Sequence, residues 1–269
     1  MIRKLFNQLG VAIKSYSYSL NFVFTKKPKW LIIPALANFI LLLVVVSAAI
    51  LYADEVITWV FGMLSLSPDD SWWGRFVYWM SLISIRIFVI LLFIKFYKYL
   101  MLILYAPILV WLSDSFQEYM TGYKRPFSWS SFFSDVWRGI VIAVINLIIE
   151  FGLYFVLFFV TILFPVLSVI TPALSFLISS YFLAFAFIDY RNEYFELSAS
   201  GSRKFVWAYK IFAVGIGIMF NLMLFIPVIG VMVAPSISLV AAGYGANVID
   251  RRTRYNRIKN MQHTRQTLL

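Results

Sequence analysis

Apolar runs too long for a soluble core alternate along this chain with short polar stretches. Residues 1–25 instead mix the two kinds at helical spacing. Leu5, Leu9, Ile13, Tyr16, Leu20 and Phe24 share one side, which predicts a helix lying in a membrane's headgroup layer with that face in the acyl boundary. Pro28 ends it. Trp30 to Tyr52 is uncharged over about 23 residues, enough to cross a hydrocarbon core of roughly 30 Å. Its Pro34 falls in the first turns, where a missing donor is cheapest. Trp72 to Leu112 is about twice the spanning length. It predicts a second crossing at 76–95, ending at Lys95 and Lys98, whose ammonium groups snorkel to the interface. Met101 to Phe116 then continues as a long helix. Gly122, Lys124, Arg125, Pro126 and Ser128 mark a polar loop.

The rest reads as two similar hairpins. Phe164-Pro165-Val166-Leu167-Ser168-Val169 parallels Ile226-Pro227-Val228-Ile229-Gly230-Val231, and each run is followed by another proline, Pro172 or Pro235. The arms 173–188, 211–226 and 231–247 are only about 16–18 residues, marginal for a crossing. Neither tip carries a charge. The tips are therefore expected to stay inside the membrane or the protein, with both ends of each hairpin on one side. A plain six-helix bundle stays open as the alternative.

Composition turns this pattern into a class. Hydrophobic residues make up 62% and charged residues 13% of the chain, against roughly 45–50% and 25% in soluble domains. The reading is an all-α integral membrane protein: two spanning helices, two partly penetrating helical hairpins and an N-terminal interfacial helix. It is one membrane domain, 1–269, with an amphipathic arm at 1–29, membrane helices and hairpins at 30–248, and a basic tail at 249–269. Net charge is +11. The arm and the tail are basic, whereas the loop after the first apolar run holds Asp54, Glu55, Asp69 and Asp70. Positive-inside bias then puts both termini in the cytoplasm. Basic flanks of spans suit anionic lipids and call for no nucleic acid. The sequence has no cysteine, and its lone His263 lies in the tail, which excludes thiolate chemistry and a histidine-based metal site or triad. No phosphate-cradling Gly-rich loop appears, so ATP-driven pumping is not expected; no cluster sets a base beside a nucleophile, so neither an enzyme nor a cofactor is expected.

Function must then reside in the few polar groups. Lys26, Lys27 and Lys29 precede the first spanning helix beside Trp30. A helix start offers free N–H groups and partial positive charge to an oxyanion; topology signalling and lipid contact explain the same lysines. Arg86 and Glu150 stand inside apolar runs, where charge is costly. They form either a structural ion pair or a conduction and proton-coupling pair. Asn38, Asn146 and Asn221 read as interhelical hydrogen-bond glue. Asp189 is expected to pair with Arg203; alternatively Arg203 and Lys210 meet the leaving anion at a cytoplasmic exit.

Tyr105-Ala106-Pro107, then Asp114 and Thr121-Gly122, resembles the Ala-Pro, acid, Thr-Gly helix of the CysZ-type sulfate permeases, the etoposide-induced-protein superfamily. Asp189-Tyr190, Arg203, Gly217, Ile226-Pro227 and Pro235 follow in that family's order, and Trp30 to Pro34 matches the start of its first spanning helix. The resemblance implies an oligomeric channel or permease of the bacterial inner membrane that admits sulfate, passively or proton-coupled. It assigns substrate binding to Lys27, Lys29 and Trp30. A non-transporting membrane scaffold is the alternative. The chain departs from the family pattern at Lys27-Pro28-Lys29-Trp30 (for Gly-x-Arg), at Arg191 (for a proline) and at Gly230 (for an asparagine). The last two are expected to affect turn geometry.

Overall fold

The computed structural model describes residues 2–63, 71–76, 78–80, 83–84, 99–226 and 228–250. Most of the crossing expected at 76–95 lies outside them, including Arg86, as do Lys95, Lys98, Asp69, Asp70 and His263. Among the described residues every regular element is a helix.

Helix α1 (Ile2–Asn21) passes through a wider π-type turn at Phe22–Lys26 and meets α2 (Lys29–Met63) at a bend of 99°. At 35 residues α2 is about 52 Å long. The loop expected at Asp54 and Glu55 is therefore helix; charges end an apolar run without ending the backbone pattern.

Residues 99–104 are helical, but the expected unbroken helix over 101–116 is interrupted at Tyr105. Pro107 has no N–H to give the preceding turn, so α3 starts afresh at Ala106 and runs to Thr121. Gly122 closes it at φ 66°, the left-handed conformation glycine adopts most cheaply, with its N–H on the Glu118 carbonyl.

Two hairpins follow. The first joins α4 (Trp129–Leu163) to α5 (Thr171–Tyr194) through a short 3-10 turn, Pro165–Val169. A short α6 (Ala199–Ala208), capped by Ser198, then bends by 87° into α7 (Lys210–Leu224), which pairs with α8 (Ile229–Ile249). α4, α5 and α8 are each long and apolar enough to cross a membrane, and each bent pair is too if counted as one span. The arm expected at 173–188 is thus a 24-residue helix, not a short one. It continues through Asp189, Arg191 and Glu193 because those charges find partners inside the protein.

The middle of the bundle is α8, which touches α1, α2, α3, α5 and α7. Its most apolar window is 72% buried, against 22% for α4, so α8 is the axis and α4 faces outward. Small residues make the axis approachable. A Cβ on Gly245 would strike Phe212 of α7 and Ser15 of α1.

Helix α1 keeps Ile13, Leu20 and Phe24 of the face expected to meet lipid outward, but Tyr16 turns into the protein. Ala12, Ser15, Tyr16, Ser19, Phe22 and Val23 are buried, while Phe6, Ile13, Leu20 and Phe24 are exposed. The Tyr16 hydroxyl donates to the Ile216 carbonyl (2.8 Å) and shares a bond with Ser238 Oγ (2.6 Å); Ser19 donates to the Ile237 carbonyl (2.6 Å). Hydroxyls and small side chains win the protein side because they allow close approach and find carbonyls there.

The three asparagines act as expected. Asn38 donates to the Val231 carbonyl, Asn146 to that of Phe182 (3.2 Å) and Asn221 to Ser180 Oγ (3.0 Å). Outside, the α4 stripe of Phe155, Phe158, Phe159 and Ile162 is exposed, and the hairpin tip presents Val166 and Val169 at 85% and 83% exposure. So large an apolar surface belongs in lipid. The chain is an all-α, multi-pass membrane protein.

Candidate functional site

The polar groups collect in three places, the first at the corner between α1 and α2. Lys26, Lys27 and Lys29 are exposed there. Lys27 Nζ lies 5.5 Å from the Trp30 ring centroid and 5.8 Å from that of Tyr119 on α3, a cation–π setting that holds the ammonium over a ring surface. The N–H groups of Trp30 and Leu31 donate to the carbonyls of Lys27 and Pro28 (2.9 and 3.0 Å). The expectation of open first-turn amides is corrected accordingly: these two are spent within the turn, and the lysine side chains are what an anion would meet.

The second place is the inner face of α4. Glu150 is fully buried, and its two carboxylate oxygens accept from the hydroxyls of Tyr99 and Tyr154. Tyr154 also lies 3.3 Å from the Ser175 carbonyl on α5. Tyr154 sits four residues after Glu150, a spacing that puts both on one helix face and was readable; nothing local pointed to Tyr99. The pairing expected of Glu150 with Arg86 falls on a residue outside the described ones.

The third is the charged end of the bundle, where α3 and α5 finish and α4 and α6 begin. Arg125 Nη1 lies 2.8 Å from Asp135 Oδ2 and 3.5 Å from Glu193 Oε1. Arg138 donates to both carboxylate oxygens of Asp189 (Nε 3.2 Å, Nη2 2.9 Å) and to the Leu197 carbonyl (2.6 Å). The expected Asp189–Arg203 pair is thus corrected: Arg138, one hairpin arm away, presents a two-pronged fork at a distance suited to a carboxylate. Arg191, expected mainly to affect turn geometry, is mid-network and almost wholly buried. It donates to Asn247 Oδ1 (2.9 Å), Asn192 Oδ1 (3.0 Å) and Asp250 Oδ2 (3.3 Å), and lies over the Phe195 ring. Asn247 passes its amide on to Gln117 Oε1 (2.7 Å).

Beside this network a cavity of about 200 Å³ is lined by Asp114, Glu118, Arg125, Asp135 and Tyr194. Burial pushes the Asp114 carboxyl up to about 7; Arg125 opposes the rise, and the charges of Asp135 and Glu118 add to it. At Arg125 burial disfavours the charge, but Asp135, Glu193 and Asp114 outweigh it and hold the guanidinium protonated. Among the described residues no cluster of His, Cys, Asp and Glu could hold a metal ion.

Arg203 and Lys210 are exposed, Lys210 Nζ lying 4.4 Å from the Trp207 ring. Contacts link both basic groups to this one end: Lys27 to Tyr119 near the end of α3, and Asn192 of α5 to Ser202 of α6 (3.0 Å). Lys27, Lys29, Arg203 and Lys210 therefore lie toward the same end of the bundle.

Lipid-facing helices with a buried carboxylate and one charged end make this a multi-pass helical membrane protein. The chain belongs to the family described as Sulfate transporter CysZ/Etoposide-induced protein 2.4, which it matches over residues 17–235. That stretch includes the lysine corner, Glu150, Arg203 and Lys210. No curated protein matches closely enough to add a substrate to that family membership.

Proposed function

We propose that this protein moves a small inorganic oxyanion, sulfate first, across the cell's inner membrane, passively or coupled to protons. In this reading it works as a homo-oligomer with both termini in the cytoplasm. The observation that carries it is the exposed lysine corner at the start of α2, in a chain belonging to a sulfate-transporter family. Lys27 and Lys29 attract the anion. Trp30 and Tyr119 fix the Lys27 ammonium at the end of the bundle, and Arg203 and Lys210 extend the positive field across that end. Lysines suit transit: they offer point charge without the bidentate fork that would hold sulfate tightly. Glu150, between two phenols, is the buried group a proton-coupled cycle would use.

The test is radiolabelled sulfate uptake into liposomes containing only this protein. Uptake above empty liposomes is expected, without ATP. A pH dependence that Glu150→Gln abolishes would assign coupling to that carboxyl. Folded protein that moves no sulfate from about pH 5 to 8 would overturn transport and leave the scaffold reading. Uptake of a different anion would keep the transport class and replace the substrate.

A further inference from the structure

A groove of about 610 Å³ opens on the bundle surface between α4 and α5, roofed at the charged end by α6. Its length is apolar: Val141, Ile142, Ile145 and Ile149 of α4 face Phe182 and Phe185 of α5. The polar residue along it, Asn146, has its amide on the Phe182 carbonyl, so the depth of the groove asks for no polar ligand. From Arg138 at its mouth to Ile149 is about 16 Å along the helix. That is close to half of a hydrocarbon core of roughly 30 Å, the depth of one leaflet.

The mouth has the opposite chemistry. Arg203, Lys204 and Trp207 of α6 stand over it, all exposed. The Trp207 ring meets Tyr181 edge-on, centroids 6.4 Å apart, which braces the roof against α5. Arg138 also lines the mouth, but its charge is answered by Asp189. Among the described residues neither Arg203 nor Lys204 has a carboxylate partner. α6 bends by 87° from α7, and its cations beside a tryptophan are the side chains that suit a headgroup layer.

We propose that this groove is a binding site for one anionic phospholipid, an acyl chain lying along α4 and α5 and the phosphate against Arg203 and Lys204. Charge decides the occupant. An apolar helix from a second copy would cover the isoleucines and leave both cations unanswered, whereas an anionic lipid satisfies each part of the site. The site shares Arg203 with the proposed anion field but stands whether or not the chain conducts.

The experiment is native mass spectrometry of the full chain, released from detergent in the presence of phosphatidylglycerol or of phosphatidylcholine with the same acyl chains. One phosphatidylglycerol retained in preference to phosphatidylcholine is expected. Arg203→Gln/Lys204→Gln should weaken that retention about 30-fold, since each cation near a headgroup contributes roughly fivefold, and leave phosphatidylcholine unchanged. Ile145→Trp, which fills the groove and keeps both cations, should expel the lipid as well. Millimolar inorganic phosphate should not compete, because the acyl chain supplies much of the binding. Equal retention of the two lipids by the wild-type chain would overturn the proposal without recourse to any variant. So would a double variant that holds phosphatidylglycerol as the wild type does. Efficient disulfide formation between copies through Ile145→Cys, in a chain with no cysteine of its own, would make a second copy the occupant.

Discussion

Replacing Arg191 by methionine should destabilise the protein more than any exposed charge removal. The guanidinium is about 1% exposed and touches Asn192 of its own helix and Asn247 and Asp250 at the end of α8. Methionine occupies a similar volume, so the loss is mainly electrostatic. It leaves Asp250, only about 10% exposed at its side chain, without this counter-charge, and removing one partner of a buried pair costs about 3–5 kcal/mol. Asp250→Asn alone should cost less, because the cation keeps its two amide acceptors and its place over the Phe195 ring. In Arg191→Met/Asp250→Asn the stranded carboxylate is gone, so the double variant should lose less than the sum of the singles by about 0.5–3 kcal/mol. Arg191→Lys should fall between, retaining charge without the fork. Equilibrium unfolding in mixed micelles, followed by tryptophan fluorescence, measures all four. The reasoning fails if Arg191→Met unfolds within about 0.5 kcal/mol of the wild type, the range of surface substitutions.

Other expectations follow from single sites. Glu196 sits at φ 58° just past α5, its N–H on the Glu193 carbonyl (2.7 Å) and that of Leu197 on Asn192 (3.0 Å). This is the helix-ending motif that favours glycine, so Glu196→Gly should raise stability by roughly 1 kcal/mol in the same unfolding assay. Asp114 has its folded pKa raised to about 7, against roughly 3.9 unfolded. The folded state therefore holds the extra proton between those values, and stability should fall as pH rises from about 4 to about 7. Asp114→Asn should flatten that slope in a series of melting curves; an unchanged slope refutes the assignment. Lys27→Gln/Lys29→Gln should weaken sulfate binding most at low salt, because exposed charges are screened beyond roughly 10 Å at 0.1 M. Equal loss at all salt concentrations would mean that the two lysines do not act through their field.

The apolar runs made the helices legible, since a window of lipid-soluble residues marks both solvent and secondary structure. Helix ends were less legible. α2 carries on through Asp54 and Glu55, and α5 through Asp189, Arg191 and Glu193, because hydropathy registers where charge occurs and not whether it is answered. The answers come from far along the chain: Arg138 is 51 residues from Asp189, and Asn247 is 56 from Arg191. No local pattern contains such a partner, which is why Asp189 was matched to the wrong arginine. Glu150 was legible as a buried charge, and Tyr154 by its helical spacing. The inward turn of Tyr16 on α1 was not, since Tyr16 and Ser19 seat in carbonyls of α7 and α8 that the sequence of α1 does not reveal.

Lipid offers little hydrophobic drive for helices to associate, so contact between them rests on close approach and hydrogen bonds. At the crossing of α5 and α7 both occur within one turn: a Cβ on Gly217 would run into the Ser180 carbonyl, and Ser180 Oγ accepts from Asn221. The tips obey the same economy. In the first hairpin the N–H groups of Phe164, Leu167 and Ile170 donate to the carbonyls of Val160, Phe164 and Leu167. In the second, those of Phe225, Ile226 and Gly230 donate to Leu222, Met223 and Ile226. Pro165 and Pro172 have no donor to satisfy. These tip amides thus find acceptors within the turn, as irregular chain at membrane depth requires. Uncharged, apolar tips with internally bonded amides require no water, whether a hairpin turns back or crosses fully. Water is needed at the charged end, where the basic corner, the carboxylate cavity and the proposed lipid headgroup site all lie.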